Sequence, residues 1–132
     1  MNHPHHEIQF RIRYSECDAM GILYHGNYFS YFEMGRTELF RNEGGNYREL
    51  EEKGLFFVVS KLTCKFNAPA YYDDLLRLKT TITRMTYARL EHRYELYRED
   101  ELLTVGTSLL ACVDREGNIQ RLSDVFADWC EI

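Results

Sequence analysis

Long apolar runs are missing from this chain. The most apolar one, Leu55-Phe56-Phe57-Val58-Val59, supplies about a quarter of the roughly 20 residues that a membrane-spanning helix needs. The first six residues, Met1-Asn2-His3-Pro4-His5-His6, hold no apolar core of the kind a secretory signal uses. A cytoplasmic protein is expected. An excess of basic charge is missing too. The formal net charge is −5, which argues against a nucleic-acid surface or a broadly basic membrane-binding face. The four cysteines, Cys17, Cys64, Cys112 and Cys130, form no C-x-x-C pair and match no zinc spacing. Four free thiols are expected in a reducing compartment. Only two prolines occur, Pro4 and Pro69, and no linker, repeat or low-complexity segment breaks the chain. No phosphate-binding or dinucleotide-binding glycine fingerprint appears.

What is present fits one globular domain spanning residues 1–132, with 1–6 a mobile terminal segment. Ile8, Phe10, Ile12 and Tyr14 alternate with polar residues, the period of a half-buried strand. Residues 15–27 read as a loop. From Tyr28 the period becomes helical: Tyr28, Tyr31, Phe32, Gly35, Leu39 and Phe40 share one face. Asn27 is the expected N-cap, and Gly44-Gly45 the stop. Gly35 costs roughly 1 kcal/mol inside a helix relative to alanine, so it marks a close approach to a strand. Asn46 caps a second short helix that Gly54 ends. Four strand-like stretches follow, over 55–67, 76–82, 89–96 and 103–113. Turns are expected at 98–101 and 114–118, and Ser123 caps a last short helix. Such an order predicts an α+β fold in which a curved, mainly antiparallel sheet covers a long helix.

Chemistry concentrates in residues 14–28, where Asp18 and His25 share one loop ahead of a helix. A helix start offers unpaired N–H groups and the positive end of the dipole. Those groups suit the oxyanion that forms when an ester or thioester carbonyl is attacked. Asp18 then serves as general base on water or as nucleophile. A thiol leaves with a pKa near ~8.5 and needs little help from an acid, so one carboxylate without a strong acid favours thioesters over amides.

The run Asp18-Ala19-Met20-Gly21-Ile22-Leu23-Tyr24-His25-Gly26-Asn27-Tyr28, followed by Tyr31-Phe32-Glu33-Met34-Gly35-Arg36-Thr37-Glu38-Leu39, resembles the signature of the 4-hydroxybenzoyl-CoA thioesterase family. It is also similar to the acyl-CoA thioesterases associated with the Tol-Pal envelope system. Phe66-Asn67-Ala68-Pro69-Ala70 matches a break before a later strand. The resemblance implies a single hot-dog domain with a long helix inside a curved antiparallel sheet. It implies homodimers, often paired into homotetramers, with active sites between subunits and acyl-CoA as substrate. Coenzyme A then arrives as part of the substrate, with no separate cofactor and no metal. It implies catalytic roles for Asp18, Tyr24 and His25, and substrate-binding roles for Tyr14, Asn27 and Tyr28. Cys17 and Met20 depart from the common pattern and bear on acyl specificity.

Other readings compete. Asp18 in a turn is also an ordinary capping residue, and His25 a structural hydrogen-bond donor. Cys17 is a poor nucleophile beside a carboxylate, which raises its pKa. Glu33 is a rival carboxylate or a partner for Arg36. His3, His5, His6 and Glu7 offer an adventitious metal site. Lys61, Lys65, Arg84, Arg89 and Arg93 are candidate phosphate contacts or solvated strand faces. For the whole chain, a hot-dog hydratase or dehydratase and a non-catalytic acyl-CoA or acyl-carrier binding module stand as alternatives.

Overall fold

The computed structural model describes residues 3–122. Five strands form one antiparallel sheet in the order β1-β3-β4-β5-β2. They are β1 (His5–Arg11), β2 (Phe56–Phe66), β3 (Leu75–Met85), β4 (Arg89–Arg98) and β5 (Glu101–Val113), with α1 (Tyr28–Asn42) and α2 (Tyr47–Glu52) between β1 and β2. The helix expected after Ser123 lies outside the described residues. Strict alternation buries one face of β3 and β4: Leu76, Leu78, Thr80 and Ile82, and Leu90, His92, Tyr94 and Leu96, mostly apolar with Thr80 and His92 among them. Register shifts at Val59/Lys61, Ile82/Arg84 and Leu96/Tyr97 bend the strands and raise their twist.

The helix lies on that face, packed against β1, β3 and β4. Phe32 is fully buried and stacks on Tyr94, with ring centroids 4.4 Å apart. The stack needs Gly106, because a Cβ there would run into the Phe32 ring. Gly35 has the role read from the sequence: a Cβ would collide with Thr80 Oγ1 and Leu78 Cδ2, so glycine lets α1 approach β3. The helix ends where Gly44 takes φ +89° and Gly45 N–H reaches back to the Phe40 carbonyl, 2.8 Å away. Asn46 caps α2 through bonds from the N–H groups of Arg48 and Glu49, at 2.9 and 3.4 Å.

Two expectations are corrected. The first strand begins at His5, since His5 and His6 pair with Thr81 and Thr80, so the terminal segment is ordered from there. Tyr14 leaves the strand and joins a short 3-10 turn over Tyr14–Glu16. Alternation alone ran too far because Ile12 is buried past the end of the pairing, held by Asp73 and Asp74 of the β2–β3 connection.

Candidate active site

The segment between β1 and α1 is an irregular small hairpin. Asp18 N–H donates to the Ile22 carbonyl (2.8 Å), Tyr24 N–H donates to the Glu16 carbonyl (3.0 Å), and Cys17 bridges Leu23. Gly21 makes the turn with φ +75°. Asp18 Oδ1 closes it by accepting the N–H groups of Met20 (2.8 Å) and Ile22 (3.2 Å). That is the ordinary capping role weighed above, and it uses one oxygen. Among the described residues nothing donates to Oδ2. Asp18 therefore has a fixed orientation and one carboxylate oxygen with no partner among the described residues.

Asp18, Tyr24, His25 and Tyr28 line one cavity of about 400 Å³, with Phe66, Asn67 and Pro69 opposite. Tyr28 meets Phe66 edge-on, centroids 4.8 Å apart, and burial pushes its phenol above the usual range. Tyr24 and His25 pack ring to ring at 4.4 Å. The family resemblance implies that the N–H groups at Tyr24 and His25 polarise the carbonyl; the unpaired donors here lie one residue later. Tyr24 N–H is consumed by Glu16. Asn27 N–H donates to Tyr24 O and Tyr28 N–H to His25 O. The N–H groups of His25 and Gly26 have no partner among the described residues, so the unpaired donors lie one step later. Asn27 is not a side-chain cap; its Nδ2 donates instead to the Glu16 carbonyl at 2.8 Å. A 3-10 turn over His25–Asn27 leads directly into α1 and removes the need for that cap.

The other candidates separate from the cavity. Tyr14 is largely exposed and meets Tyr72 edge-on at 5.5 Å. Asn27 is half-buried behind the wall. Desolvation, then the charges of Asp18, Glu16 and Asp74, push the Cys17 thiol up, which suits a packing residue better than a nucleophile. Glu33 borders a second cavity of about 290 Å³ with Arg36, 3.9 Å from that guanidinium. Lys61, Lys65, Arg89 and Arg93 belong to the sheet face away from α1, by their register opposite Leu109, Val105, Ala111 and Thr107. His5 and His6, being successive strand residues, point to opposite faces. Among the described residues no group of three His, Cys, Asp or Glu side chains is placed to hold a metal.

One residue the sequence did not single out is Glu16. Its carboxylate accepts the Arg13 N–H at 2.8 Å, and its side chain is only 14% exposed. Burial works to raise its pKa, but bonds from Arg13 and the influence of the Tyr31 hydroxyl outweigh that and hold it low.

Comparison with known proteins gives the family and the fold. The thioesterase superfamily model matches residues 20–105. The acyl-CoA thioester hydrolase YbgC of Escherichia coli is 35% identical over 105 residues, 79% of this chain and 78% of that protein. A DHNA-CoA thioesterase structure from Staphylococcus aureus superimposes with a TM-score of 0.90 at 29% identity, over 96% of this chain and 87% of that one. A 4-hydroxybenzoyl-CoA thioesterase complex has the same fold, with a TM-score of 0.87 at 19% identity over 96% and 99% of the two chains. The hot-dog arrangement implied by the sequence is the one present.

Proposed function

Because the chain belongs to the thioesterase superfamily, we propose that it hydrolyses an acyl-CoA to the free acid and coenzyme A at the cavity bordered by Asp18 and His25. The thioester carbonyl is held by the N–H groups of His25 and Gly26, at the positive end of α1. Asp18 Oδ2 either takes a proton from the attacking water or itself attacks the carbonyl carbon, in which case a water then hydrolyses the acyl-aspartyl anhydride to the free acid and the Asp18 carboxylate. The C–S bond breaks and the thiolate leaves without an acid, since its conjugate thiol is acidic enough, pKa near ~8.5. The observation that carries this reading is one carboxylate oxygen and two backbone donors, all unpaired among the described residues, on residues 18, 25 and 26 of one hairpin-to-helix junction.

The working unit in this proposal is a homodimer joined through β2, alone or as half of a dimer of dimers. The support is the edge position of β2 and its helix-side row, where Val59, Leu62 and Phe66 are 46%, 37% and 52% exposed. An exposed apolar edge strand calls for a partner. An antiparallel second copy would cover that row and wall the cavity at Phe66. Among the described residues no helix is long and apolar enough to cross a membrane; the proposed site of action is the cytoplasm, where acyl-CoA substrates are dissolved. Tyr14 and Asn27 have no direct substrate contact in this reading.

The test is thiol release from a panel of aliphatic and aromatic acyl-CoAs. Release from at least one class is expected. Tight acyl-CoA binding without release would favour a binding module, and water addition across an enoyl-CoA double bond would favour a hydratase.

A further inference from the structure

We propose that Glu16 is a positioning residue that sets the direction of the His25 and Gly26 N–H groups relative to Asp18; the inference rests on the hydrolase reading for its kinetic consequence. Glu16 is where three segments are tied together. Its carboxylate takes the N–H of Arg13 at 2.8 Å and is 3.4 Å from the Arg13 guanidinium, fixing the end of the chain that leaves β1. Its carbonyl takes both Tyr24 N–H (3.0 Å) and Asn27 Nδ2 (2.8 Å), fixing the residues on either side of His25 and Gly26. The Tyr31 hydroxyl of α1 is buried with no hydrogen-bond partner among the described residues, and burial first, then the nearby Glu16 carboxylate, push the Tyr31 pKa up.

The arrangement selects the free donors by using up the others. Tyr24 N–H, which would otherwise precede His25 as a donor to a ligand, is spent on Glu16. Asn27, which would otherwise cap the helix, is turned back onto the same carbonyl. Among the described residues the first unpaired N–H groups are then those of His25, which lines the cavity, and of Gly26 next to it in the chain. Asp18 lies two residues beyond Glu16 on the same arm of the hairpin, so the carboxylate, by pinning the Arg13–Glu16 turn, holds in place the Glu16 carbonyl that ties Tyr24 and Asn27.

Misplacement of reacting groups by about 1 Å costs on the order of 100-fold in rate. Glu16→Ala is expected to lower kcat by roughly 10- to 100-fold with KM changed less than about 3-fold, and Glu16→Gln, which keeps an oxygen for Arg13 N–H, to recover most of the loss. Asn27→Asp, which cannot donate to the carbonyl, is expected to resemble Glu16→Ala. A structural role alone predicts something else: Ala and Gln variants equally impaired, with KM raised and thermal stability lowered together. That outcome, or unchanged kcat in Glu16→Ala, overturns the proposal. A second readout does not depend on turnover. In the ligand-free protein, Glu16→Ala should shift the amide resonances of His25 and Gly26 and speed their hydrogen exchange; unchanged resonances overturn it. If the wild-type protein releases no thiol from any acyl-CoA, the hydrolase reading fails while the amide measurement still decides the positioning of the helix start.

Discussion

The two flanks of α1 are built differently. On the β3–β4 side the helix is pressed against the sheet: Gly35 has no room for a Cβ, Phe32 stacks on Tyr94, and Leu78, Thr80 and Ile82 are fully buried. On the β2 side the apolar row Val59, Leu62 and Phe66 stands in the open, and the cavity with Asp18 opens there. A 132-residue chain has enough apolar surface to close one flank by itself. The flank left open is the one to which the proposed function assigns the thioester and the second subunit.

The contrast can be broken from the closed side first. Phe32→Ala should cost about 3–5 kcal/mol, because it empties a stacked and fully buried ring site; chemical denaturation measures it, and a loss under 1 kcal/mol would mean the closed flank is looser than described. Gly35→Val should cost about 1–3 kcal/mol by pushing α1 off Thr80 and Leu78, read as a lowered Tm. A smaller effect comes from His92, whose ring is buried on this flank. Burial first, then the charge of Arg36, lowers its folded pKa to about 3. The unfolded chain takes up a proton near pH 6.5 and the folded one does not until about pH 3. Stability should therefore be full above about pH 7 and fall as pH drops from 6.5 toward 3, and His92→Phe should flatten that slope. On the open side Leu62→Lys should change subunit stability by only about 0.5 kcal/mol or less. The same variant should convert the dimer to monomer in sedimentation. Monomeric wild-type protein with full thiol release would remove the reason for leaving β2 uncovered.

The sequence made the closed flank legible because its signals are local. The 3.6-residue period through Tyr28, Tyr31, Phe32, Gly35 and Leu39 and the alternation along β3, β4 and β5 each follow from burial of one face. The position of Asp18 before the helix was legible too. What periodicity does not encode is which backbone groups find each other across a loop. Asn27 looked like a cap because asparagine before a helix ordinarily is one, yet the 3-10 turn sent its side chain to Glu16. Tyr24 looked like an oxyanion donor until Glu16 claimed its N–H. Tyr14 continued the alternation but not the strand, since strand pairing ends at Arg11↔Leu75.

Thiol release by Asp18→Asn compared with wild type tests the central claim most directly. The substitution is nearly isosteric and keeps the Oδ1 bonds to Met20 and Ile22 within reach of the amide oxygen, so the hairpin should persist. A fall in kcat of at least about 100-fold is expected, with unchanged circular dichroism and oligomeric state. Wild-type kcat in Asp18→Asn would contradict it.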